Sequence, residues 1–487
     1  MSKATLNSTE ASGLFLNNVR RAGGGSPITL FDPSTGTPFA ELAAATADDV
    51  DRAVTSARGA FATWSDSPPV ERSRLCRRVA DTLTQRAEAL AEISIRDAGL
   101  PRSLALRDVE AAARYFEFYA GVPDKLHGQT IPVGSEAVDF TVREPWGVCA
   151  IILPFNFPMQ IAARDLAAAL CVGNTVALKP PEQAPLAALA LAEICAEAGA
   201  PPGVINAVTG LGSEAGEALV RHDGVAHITF TGSVPTARRV LAAAAQRIKP
   251  TTIELGGKSP HIVFADADFD RAIAAIVATT YRTAGQACSA GTRVLVERSV
   301  QSRFVEALGA AVAALRVGHA NADPDVGPLI SSQQRDSVLS SLENNVTNGA
   351  RIVTGGGPPP AGTVPAGGFF VAPTLVDAVE HASPMAQEEI FGPVVTVTPF
   401  DNERGAVALA NDTDFGLVAG VWTSEVGRAH RLARQIEAGQ VFINCYGVGG
   451  GVELPFGGYK RSGFGRIKGI AGALEYTQVK NVCVAYG

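Results

Sequence analysis

The sequence predicts an α/β protein with two series of parallel strands, and three observations point there. Between residues 145 and 265, short β-prone runs alternate with longer runs rich in Ala and Leu. A second series of the same kind follows, ending near residue 400. At 487 residues, 46% of them hydrophobic and only 18% charged, the chain has the apolar material for two or three domains rather than one core.

Taken in order, "GVCAIIL", "TVALK", "VINAVT", "AHITFT" and "TIEL" read as buried strands, being short, largely apolar and rich in β-branched residues. Between them "MQIAARDLAAAL", "APLAALALAEICAEAG" and "TARRVLAAAAQRI" carry apolar residues at helical spacing. Such alternation predicts a parallel sheet covered on both faces, a nucleotide-binding class of fold. In the second series "HIVFA", "TRVLVER" and "VVTVTPF" are expected strands, and "DFDRAIAAIVATTYRTAG" and "VQSRFVEALGAAVAAL" expected helices. The Pro/Gly-rich "GGGPPPAGTVPAGG" (355–368) is expected to be a surface loop.

A formal net charge of −7 argues against nucleic acid or an anionic membrane as the main partner. The most apolar stretch is broken by Pro154 and Pro158, so no spanning helix is expected. The opening "MSKATLNSTEAS" lacks the apolar centre of a signal peptide. The seven cysteines are odd in number, irregularly spaced and without a C-x-x-C pair. Reduced thiols in the cytoplasm are therefore expected, not a disulfide framework or a zinc site. The seven histidines are scattered singly and suggest no metal site.

Two glycine turns could cradle a phosphate. "TGLGSEAG" (209–216) spaces its glycines G-x-G-x-x-x-G and lacks the usual acidic residue after the following strand, so it reads as a strand-to-helix turn. "FTGSVPTARR" (230–239) ends a strand at Gly232–Ser233 and opens a helix near Pro235. Free N–H groups and the positive helix end could face an anion there, and a turn without a ligand fits equally well. Four further segments put reactive side chains at strand ends or in loops, where binding residues gather. They are Asn156 in "LPFNFP", Glu254 in "TIELGGKSP", Cys288 in "GQACSAGTR", and Glu389 with Phe391 in "QEEIFGPVV". Singly, each also reads as a turn residue, a strand end or core.

In combination these segments resemble the aldehyde dehydrogenase superfamily. The likeness is an ordered series from about residue 30 to the C-terminus. It runs through "PFNFP" (154–158), "LKPPEQAPL" (178–186), "FTGS" (230–233), "ELGGKSP" (254–260), "GQACSAG" (285–291), "EEIFGP", "NDTDFGL" (411–417) and "PFGGYKRSGFGR" (455–466). The resemblance implies a Rossmann-like NAD-binding domain (1–122 and 144–253), a second α/β catalytic domain (254–464), and a small β arm for oligomerisation (123–143 and 465–487). A homodimer or homotetramer is implied, since the tail "EYTQVKNVCVAYG" offers an open strand edge.

It also implies roles. Cys288 would be the nucleophile, because a thiolate can both add to an aldehyde carbonyl and later leave. The Asn156 amide and the Cys288 backbone N–H would hold the oxyanion. Glu254 would activate the water that hydrolyses the thioester, and its presence argues against the CoA-acylating branch. Lys179 and Glu182 would hold the adenosine ribose, Gly232 and Ser233 the pyrophosphate, and Glu389 and Phe391 the nicotinamide ribose. Glu182 would repel a 2′-phosphate, so NAD is expected ahead of NADP.

For the substrate, Arg164 and Arg282 match arginines that succinate-semialdehyde dehydrogenases turn on a distal carboxylate, with Phe157 beside them. Either arginine could instead pair with Asp165 or another acid. Aromatic or medium-chain aliphatic aldehydes are the alternative. Readings of another class are a catalytically idle NAD-binding or structural relative, and a thiol hydrolase.

Overall fold

The computed structural model describes residues 12–346, 350–447 and 451–486. The first expected series forms a sheet whose five parallel strands lie in the order Ile205–Val208, Thr175–Lys179, Val148–Ile152, His227–Gly232, Thr251–Leu255. Numbered along the chain, that order is 3-2-1-4-5, the doubly wound arrangement. Its direction reverses between Val148–Ile152 and His227–Gly232, and ligands of such sheets bind beyond the carboxyl ends of those strands. The hairpin Leu14–Leu16 and Val19–Arg21 extends one edge, and the two-residue strand Gly463–Phe464 closes the other against Ile253 and Glu254.

Neighbouring residues of these strands enter different cores, as a doubly covered sheet requires. Cys149, Ile151, Val176 and Leu178 join one apolar cluster, while Val148, Ala150, Ile152 and Ala177 join another. The helix Pro158–Cys171 is buried on nearly every side. Four helices not foreseen in the sequence, Ala47–Ser65, Pro69–Gln85, Ala87–Ala98 and Arg102–Ala120, complete the covering layers. Thr46 and Asp49 start the first of them with a reciprocal capping box.

The second series forms a seven-stranded sheet. Thr374–Asp377, Val394–Phe400, Arg293–Glu297, Pro260–Val263, Val418–Trp422 and Gln440–Ile443 run parallel, with Arg351–Thr354 antiparallel at one edge. Residues 355–368 form an irregular, largely exposed loop. A three-stranded sheet joins Thr130–Ile131, Ala137–Pro145 and Thr477–Ala485, with the last strand at its edge.

The sheets divide the chain differently from the expected boundaries in two places. The strand Thr251–Leu255 runs across the 253/254 boundary, because Glu254 pairs with Thr231 and Gly463 on either side. Residues 463–464, expected in the catalytic domain, lie at the edge of the first sheet.

Candidate active site

Asn156 and Phe157 lie in the turn between strand Val148–Ile152 and helix Pro158–Cys171. Pro158 suits the first helical turn, and buried Asp108 caps it by accepting from the Met159 and Gln160 amides at 3.0 and 3.3 Å. Burial pushes the Asp108 carboxyl up to about 7, against those two amide bonds. Asn156 is buried, and its Oδ1 has no partner among the described residues.

Glu254 is pinned by strands on both sides, so any movement must come from its side-chain torsions rather than from the glycines that follow. It is 2% exposed, and both carboxylate oxygens lack hydrogen bonds among the described residues. Burial holds its carboxyl well above the ordinary range; Asp165 adds to this, and Arg164, Arg466 and Lys468 oppose it.

Two glycines let three loops meet. A Cβ on Gly256 would lie 1.8 Å from Glu389 Oε2, and the Gly257 amide donates to Glu389 Oε1 at 3.2 Å. Gly285, at φ 74°, presses its backbone onto Gly392, where a Cβ would lie 1.9 Å from the carbonyl oxygen. The Cys288 carbonyl reaches within 2.9 Å of the Cβ position of Gly257. Glu254, Glu389 and Cys288 therefore share one site. Burial pushes the Cys288 thiol up to about 11, with Glu254 and Glu389 adding to it and Arg164 and Lys468 pulling the other way. Burial likewise lifts Glu389 to about 7, against the Gly257 amide and Lys258. Phe391 adopts φ 53° and meets the Phe155 ring edge-on at 5.9 Å.

At the far end, Lys179 closes its strand and its ammonium pairs with Glu182 at 2.7 Å. Ser233 caps the helix Val234–Ala245, its Oγ accepting from the Thr236 amide at 3.5 Å. Carboxylate, ammonium and a capped helix start at the ends of the parallel strands suit a nucleotide with two riboses and a pyrophosphate. The residues present thus fit the dinucleotide that the sequence suggests.

A cavity of about 390 Å³ opens beside the thiol, with Ala287 and Ser289 in its wall. Leu104, Phe157, Phe442, Tyr446 and Phe456 supply an apolar and aromatic lining. Tyr446 is fixed by donating its hydroxyl to the Ser289 carbonyl at 2.7 Å. Residues 448–450, shortly after Tyr446, lie outside the described residues.

The two arginines expected to act together are separated. Arg282 lines the cavity. Arg164 is not among its lining residues: its guanidinium is buried, bidentate on Asp165 at 2.7 and 2.8 Å, and 3.0 Å from Thr231 Oγ1. Burial works against its charge and Asp165 more than restores it. The two-arginine carboxylate site is therefore not formed, because an adjacent acid has taken one member.

Sequence reasoning missed Ser462 and Lys468. Ser462 Oγ donates to the Gly256 carbonyl at 2.8 Å and accepts from the Gly416 amide at 3.0 Å, and its carbonyl takes the Leu255 amide at 3.0 Å. It latches the loop that follows the strand of Glu254. Lys468 lines the cavity with φ 66° and ψ 164°, a region that only glycine visits without a cost of about 1–3 kcal/mol. A lysine directly before Gly469 gave no local signal of this.

The model of the aldehyde dehydrogenase family matches residues 20–482. The chain is 44% identical over 466 residues, 95% of either sequence, to a betaine aldehyde dehydrogenase of Cereibacter sphaeroides. It is 42% identical over 470 residues, again 95% of both, to one of Brucella anthropi. It also superposes on the NAD+ complex of an aldehyde dehydrogenase from Bacillus cereus with a TM-score of 0.95 and 38% identity, covering 98% of this chain and 97% of that one. With the family match spanning nearly the whole chain, this protein belongs to the aldehyde dehydrogenase family.

Proposed function

We propose that the protein oxidises an aldehyde to a carboxylic acid with NAD+, using Cys288, Asn156 and Glu254. The observation that carries this reading is the meeting of three loops that sets Cys288 beside Glu254 and Glu389. The Cys288 thiol passes its proton to the Glu254 carboxylate, directly or through water, and its sulfur bonds to the carbonyl carbon as the C=O π pair moves onto oxygen. The Asn156 amide, directed by the turn after its strand, and the Cys288 backbone N–H then hold the oxyanion. NAD+, held by the residues named below, would supply the hydride acceptor that turns this adduct into a thioester on Cys288. Glu254 takes a proton from water as it attacks, the C–S bond breaks, and the acid departs. A carboxyl raised by burial is suited to hold that proton.

Lys179 and Glu182 hold the adenosine ribose, Gly232 and Ser233 the pyrophosphate, and Glu389 and Phe391 the nicotinamide ribose. The Glu182 carboxylate supports NAD over NADP, since it opposes a 2′-phosphate. The aromatic cavity suits an aldehyde with an apolar body, aromatic or medium-chain aliphatic. The relatives named for betaine aldehyde favour a second reading, with a quaternary ammonium against the aromatic walls. Arg282 and Lys468 in the same walls weigh against such a cation.

A second copy would pair along Thr477–Ala485, where Val479 and Val484 are exposed at the edge of the three-stranded sheet. The seven free thiols suit a cytoplasmic setting. None of the helices among the described residues is long and apolar enough to cross a membrane.

Steady-state NADH formation with benzaldehyde, hexanal and betaine aldehyde, each with NAD+ and NADP+, tests the reading. Turnover with at least one aldehyde and a preference for NAD+ is expected. No turnover with any of them, despite NAD+ binding, would identify an idle relative. Aldehyde conversion without NAD+ would point to a hydrolase.

A further inference from the structure

We propose that Tyr446, braced by His261, positions the turn that carries Cys288: its hydroxyl holds the turn, while its ring forms part of the cavity wall. The proposal rests on Cys288 being the nucleophile beside that cavity, as proposed above.

Cys288 and Ser289 are the central residues of a turn that the Ala290 amide closes by donating to the Ala287 carbonyl at 3.0 Å. Before it, the Gln286 amide donates to the Thr283 carbonyl at 2.9 Å; after it, Thr280 Oγ1 donates to the Gly291 carbonyl at 3.2 Å. The Ser289 carbonyl is reached from another part of the chain, by the Tyr446 hydroxyl at 2.7 Å. The orientation of this turn sets where the Cys288 sulfur and the Cys288 backbone N–H point. A bond that fixes it therefore acts on thiol attack and on oxyanion stabilisation together. Burial pushes the Tyr446 hydroxyl up, against Ser259 and together with Cys288, so its proton stays available to the Ser289 carbonyl.

The packing around the tyrosine adds an independent argument. His261, buried on the strand Pro260–Val263, lies with its ring 4.4 Å from that of Tyr446, centre to centre. Trp422 Nε1 donates to His261 Nδ1 at 3.2 Å. The imidazole proton therefore sits on Nε2, which has no partner among the described residues. Burial pushes the imidazole down to about 3, so Nδ1 remains an acceptor at neutral pH. Two glycines leave room for the pair. A Cβ on Gly291 would lie 2.1 Å from His261 Nε2, and one on Gly420 would lie 2.8 Å from Tyr446 Cδ2. A phenylalanine at 261 could fill this space but would leave the Trp422 N–H unmet. The histidine thus ties Trp422 and Tyr446 into one aromatic group behind the nucleophile turn.

The test measures kcat, KM and Tm for Tyr446→Phe, His261→Ala, their double variant and His261→Phe, with whichever of benzaldehyde, hexanal and betaine aldehyde the unaltered enzyme oxidises. Tyr446→Phe keeps the ring and loses the hydroxyl. It should lower kcat about tenfold with each aldehyde, the loss expected for one buried hydrogen bond, and leave KM within about twofold. Its Tm should move by no more than about 2 °C. His261→Ala should lower kcat by a similar factor and also raise KM, because the ring loses its brace. The double variant should lose about as much kcat as the worse single variant, since both act through one contact. His261→Phe, which restores a ring but no acceptor for Trp422, should recover KM and only part of kcat.

An unchanged kcat in Tyr446→Phe would overturn the proposal while leaving the proposed reaction standing. So would a rise in KM without a fall in kcat, which would make Tyr446 a wall of the cavity and nothing more. Multiplied losses in the double variant would separate His261 from Tyr446 and overturn the brace. Tyr446→Phe preserves shape, so it decides the role of the hydroxyl even where His261→Ala does not fold. Absence of turnover with every aldehyde in the unaltered enzyme would remove the proposed reaction, and this proposal with it.

Discussion

The two ends of the site are built on opposite terms. At the ribose end Lys179 and Glu182 already satisfy one another, and Ser233 caps its own helix. At the thiol end Asn156 Oδ1 and both Glu254 oxygens are buried without partners among the described residues, and burial has lifted the Cys288 thiol and the Glu254 and Glu389 carboxyls above their ordinary values. Each unmet buried polar group costs about 1–3 kcal/mol. The paired groups can exchange partners when a ligand arrives, whereas the buried Glu254 carboxyl, raised by burial, is left free to hold a proton.

The contrast predicts graded losses. Cys288→Ala should abolish NADH formation, a fall on the order of 10⁴-fold or more, while NAD+ titrated by fluorescence still binds. Asn156→Ala should lower kcat about 100- to 1000-fold with little change in KM, since its amide is needed most when the oxyanion forms. A comparable loss in KM instead would move Asn156 to the binding end.

The pH response sharpens the same comparison. With its thiol near 11, Cys288 should react with iodoacetamide about tenfold faster for each unit between pH 7 and 9, followed by mass spectrometry of its peptide. A rate already flat at pH 7 would show that Arg164 and Lys468 outweigh burial. At the ribose end, Lys179→Met should weaken NAD+ binding only about tenfold and leave kcat nearly intact. Should Lys179→Met match the loss in Cys288→Ala, the division between the two ends would fail.

Much of this was legible because local patterns aligned with tertiary roles. The five strands of the first sheet were readable, since burial on both faces leaves short apolar runs between Ala-rich helices. Asn156, Glu254, Cys288 and Glu389 were visible as motif residues at strand ends and in loops. The four N-terminal helices were not, because their mixed apolar and charged surfaces dilute the pattern. Arg164 misled for a different reason. Its place on the helix was readable, but whether a guanidinium faces a substrate or an acid depends on Asp165 and Thr231, and Thr231 lies 67 residues away in sequence. Lys468 was hidden because a left-handed backbone conformation in a lysine leaves no trace in composition.

The Ser462 latch has a consequence for the order in which the sheet closes. Gly463 and Phe464 supply the last strand beside Glu254, and Ser462 ties down the loop that follows it. Still later residues brace the same sheet: Trp146 Nε1 donates to the Glu475 carbonyl at 2.9 Å, and Asn174 Nδ2 to that of Tyr476 at 2.9 Å. A chain folded only as far as residue 450 would hold Asn156, Glu254, Cys288 and Glu389 yet leave the strand of Glu254 as a bare edge. That edge stays open to pairing with another chain until residues 463 and 464 dock against it.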